Sequence, residues 1–162
     1  MTGWDEEYLA GPEGQDWRVP VSELEARQNQ LGELLAEAGI SGAFIQHPVD
    51  LYYFSGGRQN ASMFIPSSMA EQNRSVLFVR RSLKRAAYES GGTNAPHDIQ
   101  PFPRSSQLVE VLRQRGVESA PGLQYGELPA TFSQRFQRML GELGTCPDVT
   151  SIIHGQREIK SQ

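Results

Sequence analysis

The sequence predicts an α/β domain of three layers, with a mixed central sheet of about six strands flanked by helices. Three observations lead there. Short apolar runs alternate with segments of helical periodicity along most of the 162 residues. Most of these runs fall in strand–helix–strand order, which favours parallel neighbours. The pair Ser62–Ile65 and Val76–Val79 is too closely spaced to hold a helix, so these two form a hairpin and the sheet is mixed.

The elements follow in order. Residues 1–19 read as a flexible, acidic, glycine-containing arm, with Trp4, Tyr8 and Trp17 able to pin it to the surface. The arm has no signal-peptide pattern. Ser22, Glu23, Leu24 and Glu25 spell a capping box, in which the Ser22 hydroxyl bonds an orphan amide and Glu25 reaches back. A helix over about 22–38 follows, with Leu24, Leu31, Leu34, Leu35 and Ala38 on one face and Gly39 as its left-handed stop. Ala43–Ile45 is a short buried strand ended by Pro48, which lacks an amide donor. Asp50 is placed to cap a single turn through Leu51, Tyr52, Tyr53 and Phe54.

The hairpin strands come next, joined by a polar loop around Ser67–Arg74. A helix over Ser82–Glu89 is stopped by Gly91 and Gly92, and Ile99–Phe102 is an edge strand because of Pro101. Ser106 caps a helix whose apolar side is Leu108, Val109, Val111 and Leu112, closed by Gly116. Leu123–Tyr125 reads as a strand, and Phe132, Phe136, Met139, Leu140 and Leu143 mark a helix after Pro129. Val149–Ile153 reads as the last strand, and His154–Gln162 as the start of a further helix.

Composition narrows the function classes. Lys and Arg total 15 against 19 Asp and Glu, a formal charge of −4, which argues against nucleic acid as a partner. The single cysteine, Cys146, cannot form an internal disulfide, which fits a reducing, cytoplasmic setting. No apolar run approaches the ~20 residues of a membrane span.

The residues alone spell out no active site. His47, His97 and His154 are far apart and belong to no His-Glu-x-x-His or Cys-x-x-Cys pattern, so no metal site is expected. Gly56-Gly57 and Gly91-Gly92 do not extend to a dinucleotide fingerprint and read as turns. No serine lies in Gly-x-Ser-x-Gly, and no charged group near Cys146 would activate it. Arg80, Arg81, Lys84 and Arg85 form a basic cluster that reads as a solvated strand end and helix face. The stretch with most to present is Gly42–Arg58, a buried strand and an aromatic turn that exits through two glycines to the polar residues Arg58, Gln59 and Asn60.

Within it, Asp50-Leu-Tyr-Tyr-Phe-Ser-Gly56 resembles the Asn-x-x-Tyr-Leu-Thr-Gly signature of the creatinase/prolidase amino-terminal domain. Flanking features agree in order. Arg27 and Leu31 stand in the capped helix, Ala87 and Glu89 follow the third strand, and Gln156-Arg157-Glu-Ile-Lys160-Ser161 is similar to the family's hydrophobic-Arg-x-Ile-Lys-Ser. The resemblance covers about residues 20–162. Asp50 departs from the usual Asn, Gly57 stands where an aromatic residue is common, and His154-Gly155 where apolar residues are usual.

The resemblance implies a non-catalytic domain over 20–153, with 154–162 opening a linker helix to a pita-bread catalytic domain of a proline-specific metallopeptidase. That absent domain would hold two divalent ions (Mn, Co or Zn) on two Asp, one His and two Glu; this part would hold no cofactor and no catalytic residue. It further implies a homodimer acting on proline-containing peptides. Asp50, Tyr52, Tyr53, Phe54 and Gly56 would form the structural and dimer motif. Arg58, Gln59 and Asn60 would sit at the mouth of the partner's site, with Arg58 placed to meet a substrate carboxylate. Two alternatives stand beside this: a stand-alone or pseudoenzyme-derived protein- or peptide-binding module, and the N-terminal half of a creatinase-like amidinohydrolase.

Overall fold

The structure, a computed structural model, describes residues 18–67 and 74–161. Most of the expected arm, and most of the Ser67–Arg74 loop, lie outside the described residues. Four strands form one sheet in the order β1 (Gly42–Ile45), β2 (Ala61–Pro66), β3 (Val76–Val79) and β4 (Asp98–Pro101). β2 pairs antiparallel with β1 and β3, while β4 lies parallel to β3, so the sheet is mixed.

The strands read as unbroken apolar runs because helices cover both faces. Ala43, Ile45, Met63, Ile65, Leu77 and Val79 point to one side. There they meet Leu31 and Leu35 of α1 (Val21–Glu37), Leu51 and Phe54 of α2 (Pro48–Ser55), Ala86 of α3 (Leu83–Glu89) and Ile153 of α6 (Thr150–Ser161). Phe44, Phe64, Val76 and Phe78 point to the other. They pack on Leu108 and Leu112 of α4 (Leu108–Gln114) and Phe136 of α5 (Ala130–Met139). The Phe44 ring sits 5.3 Å from Phe64 and 5.6 Å from Phe136, tilted to both. Fully burying each such ring is worth about 2–3 kcal/mol.

Four strands, not six, is the main correction. Leu123–Tyr125 is no strand; the segment makes only single bridges, Gly122 to Ala43 and Leu123 to Asp148. Pro121 and Pro147, which have no amide hydrogen to offer, flank these contacts. Val149–Ile153 is helical apart from Val149. Asp148 accepts bonds from the Thr150 amide (3.0 Å) and hydroxyl (2.6 Å), turning the chain into α6, which then buries Ile153 and Gln156.

Three caps are also corrected. α1 begins at Val21, where Pro20 offers its carbonyl to the amides of Glu23 and Leu24, so Ser22 lies within the first turn and no side chain caps it. α2 begins at Pro48, whose fixed φ suits a first helical position, and runs two turns from His47 rather than one from Asp50. The Ser106 region winds as a 3-10 turn over Ser105–Gln107 before α4, again without a side-chain cap. Gly39, Gly91 and Gly92 do take the positive φ expected of helix stops.

Candidate functional site

Two polar constructions surround α2. At its C-terminal end, Gly56 adopts φ 74 and its amide donates to the Tyr52 carbonyl at 2.9 Å. A side chain here would be strained by the backbone and its Cβ would lie 2.9 Å from the Glu89 carbonyl oxygen, so glycine is required twice over. The buried Ser55 hydroxyl donates to Leu51 O (2.6 Å) and accepts from the Gly57 amide (3.0 Å). The Ser90 hydroxyl donates to Ser55 O at 2.7 Å.

The chain leaving this turn is held by one carboxylate. Glu89 Oε1 accepts from the Arg58 amide at 3.1 Å and from Gln59 Nε2 at 3.2 Å, although Glu89 itself is buried. The Asn60 carbonyl accepts from the Arg80 amide at 3.1 Å as β2 begins. Arg58, Gln59 and Asn60 thereby form the rim of a cleft of about 350 Å³. Gln46 makes one wall, and Pro48, Leu51 and Ala61 supply apolar surface. The Arg58 guanidinium stands 5.3 Å from the centre of the Tyr52 ring, within cation–π range, and has no carboxylate partner among the described residues.

At the N-terminal end of α2, Asp50 turns inward and is fully buried. Its carboxylate accepts from Gln124 Nε2 at 2.7 Å and from Arg157 of α6 in a close ion pair. Gln124 Oε1 in turn accepts from the amides of Gln46 (2.8 Å) and His47 (3.1 Å), which fixes the β1–α2 junction. His47 lies between carboxylates, with Nδ1 3.5 Å from Asp50 and Nε2 3.5 Å from Glu127; Glu127 also meets His154. A buried carboxylate persists only when so satisfied.

The sequence-derived site residues therefore divide. Arg58, Gln59 and Asn60 come together at the cleft, with Tyr52 beneath Arg58. Tyr53 faces α1, where the Arg27 guanidinium lies 4.3 Å from its ring and donates to its carbonyl at 2.9 Å. Phe54 is core, and its carbonyl accepts from Gln28 of α1 at 2.9 Å. Asp50 is a tie between segments rather than a cap. Glu89, Gln124 and Glu127 were not singled out from the sequence as working residues. Their bonds span long stretches of chain, and their only advance signal was the place of Glu89 in the family pattern.

Among the described residues no group of three or more His, Cys, Asp or Glu side chains is placed to hold a metal ion. His97 is buried and held neutral, its pKa lowered to about 4 by burial and by the Arg74 charge. Burial pushes the Cys146 thiol up to about 11, which suits a packing role rather than a nucleophile. No helix among the described residues is long and apolar enough to cross a membrane.

Residues 27–159 match the family model described as the Creatinase/Prolidase N-terminal domain. Solved structures agree on the fold. An Xaa-Pro aminopeptidase P from Streptococcus thermophilus superposes with a TM-score of 0.64 at 15% identity, over 83% of this chain and 98% of that one. The N-terminal domain of the cytoplasmic peptidase PepQ from Mycobacterium tuberculosis H37Rv gives 0.62 at 19% identity, over 82% and 98%. The dipeptidase PepE from Mycobacterium ulcerans gives 0.67 at 17% identity, over 86% of this chain but 38% of that one. Comparison with curated protein sequences gives no match.

Proposed function

The chain belongs to the Creatinase/Prolidase N-terminal domain family, and from that premise we propose that it is the non-catalytic amino-terminal domain of a cytoplasmic proline-specific metallopeptidase. In this reading the parent enzyme cleaves Xaa-Pro peptides as a homodimer, and residues 58–60 border the partner subunit's active site and restrict what enters. The observation that carries it is the rim itself. Arg58, Gln59 and Asn60 are exposed or half-exposed side chains on a backbone fixed by Gly56, Ser55 and the buried Glu89. Polar side chains on a backbone held in place are what position substrate without performing the chemistry.

In this reading the two divalent ions that the family resemblance implies, and the water they would activate, would be held by a catalytic domain outside this chain. What this chain does is bind, orient and exclude. Arg58 supplies a fixed cation for a substrate carboxylate, and the cleft wall limits the size of the group beside it.

The test is made on the full-length polypeptide, assayed against Xaa-Pro dipeptides and longer peptides with Mn²⁺ or Co²⁺. Arg58→Ala is expected to lower kcat/KM about tenfold, mainly through KM, as loss of one charge-assisted contact predicts. Unchanged kcat/KM across all substrates would remove Arg58 from the mouth. Hydrolysis by the 162-residue chain alone would overturn the non-catalytic role.

A further inference from the structure

Charge is unevenly divided along this chain. Five of its 19 acids, Asp5, Glu6, Glu7, Glu13 and Asp16, lie in residues 1–17, which contain no Lys or Arg; the other 14 acids share residues 18–162 with all 15 cations. The acidic excess therefore belongs to the arm. Positive charge collects where β3 ends and α3 begins. Arg80, Arg81 and Lys84 are exposed there, with Arg85 half-buried beside them. The carboxylate that α3 itself carries, Glu89, is buried and turned away to the Arg58 amide and Gln59. Among these cations Leu83 leaves its side chain 42% exposed.

The described chain also begins against this helix. The Arg18 guanidinium lies 4.3 Å from the centre of the Tyr88 ring. Val21 approaches Gly91, just past α3, so closely that a Cβ there would lie 2.6 Å from Val21 Cγ2. Lys84 stands one turn before Tyr88, on the same face of α3. From Tyr88 back to Leu83 is about 8 Å along the helix, which an extended chain covers in about three residues. Asp16 and Glu13, two and five residues before Arg18, are thus within reach of Lys84 and Arg81.

We propose that residues 1–17 dock within the same molecule on the basic face formed by the end of β3 and the exposed side of α3. Glu13 and Asp16 meet Arg81 and Lys84, and an aromatic side chain of the arm covers Leu83. Each exposed ion pair is weak alone, but the tether holds the arm at an effective concentration on the order of millimolar, so a few such contacts suffice. The proposal is independent of the Proposed function, since it needs neither a catalytic domain nor a second subunit.

The test places a nitroxide label on the 162-residue chain at Ala10→Cys and reads backbone amide intensities by NMR. Cys146 is buried and its thiol is pushed up to about 11 by burial, so the label goes to the introduced cysteine. Intensity loss centred on the amides of residues 81–88 is expected, with none at α4 and α5, which cover the opposite face of the sheet. Arg81→Glu with Lys84→Glu should abolish the loss and leave the remaining spectrum in place, because both side chains are exposed. Adding Glu13→Lys and Asp16→Lys to that variant should restore it. No loss, a loss spread over all faces, a loss unmoved by the charge reversal, or one that the fourfold exchange does not restore would each overturn the proposal. So would an equal loss on unlabelled chains mixed with labelled ones, which would seat the arm on a second copy instead.

Discussion

His97 should make the domain acid-sensitive, and the size of the effect follows from its surroundings. Gln28 Nε2 lies 2.9 Å from His97 Nδ1, so Nδ1 accepts and the proton resides on Nε2, which is buried with no hydrogen-bond partner. Charging this ring would add a proton facing the Gln28 amide group, in a place 2% exposed to solvent. Burial and the neighbouring Arg74 lower its pKa from 6.5 to about 4, partly countered by Asp98. The unfolded chain therefore binds a proton that the folded chain refuses, and stability rises with pH across that window. The His97 contribution is complete above 6.5 and is lost as pH falls toward 4. At about 1.4 kcal/mol per pKa unit the loss is roughly 2 kcal/mol by about pH 5 and roughly 3 kcal/mol by about pH 4. The comparison to make is His97→Asn, whose side-chain oxygen can still accept from Gln28 but which does not titrate. Urea unfolding of both proteins at a series of pH values removes the slope contributed by the carboxylates, which is common to the two. The stability difference should shift by roughly 3 kcal/mol in favour of the variant between neutral pH and about pH 4. Parallel pH curves would refute the assignment of a neutral buried imidazole.

Two further outcomes test the constructions around α2. Arg157→Met leaves the fully buried Asp50 carboxylate short of its cation and should cost about 3 kcal/mol in urea unfolding, whereas pairing it with Asp50→Asn should recover most of that loss; a single-variant cost below about 1 kcal/mol would contradict the tie. Gly56→Ala places a Cβ 2.9 Å from Glu89 O at φ 74, so a loss of about 2 kcal/mol is expected, with increased hydrogen exchange at the Arg58 amide as Glu89 is displaced; unaltered exchange there would show that the rim does not depend on this turn.

How far the sequence disclosed all this depended on whether the deciding contact was local. Val76–Val79 was legible because a strand buried on both faces must be apolar throughout, and the hairpin followed from chain length alone. Val149–Ile153 misled because β-branched residues suit a strand, while the deciding feature was one carboxylate, Asp148, turning the chain at Thr150 so that Ile153 and Gln156 could pack inward. The Gly56-Gly57 break located the rim, yet nothing local to it could announce Glu89, whose bond to the Arg58 amide spans 31 residues.

Asp50 shows the same limit from the other side. Read alone, it is a departure from a signature asparagine at a position suited to capping. In the fold it meets Arg157, 107 residues away, which belongs to the other signature near the end of the chain. The two patterns are the two halves of one buried contact. An asparagine at residue 50 could offer Arg157 a neutral oxygen; an aspartate offers a charge that must be matched, and Gln124 and Arg157 match it. The histidine at residue 154, the other departure on α6, lies one turn before Arg157 and reaches Glu127, which also meets His47 beside Asp50. Departures that look unrelated along the chain thus converge on one polar tie between the start of α2 and α6. Because the opposite end of α2 carries the Gly56 turn and Arg58, the strength of that tie bears on how firmly the cleft rim is held.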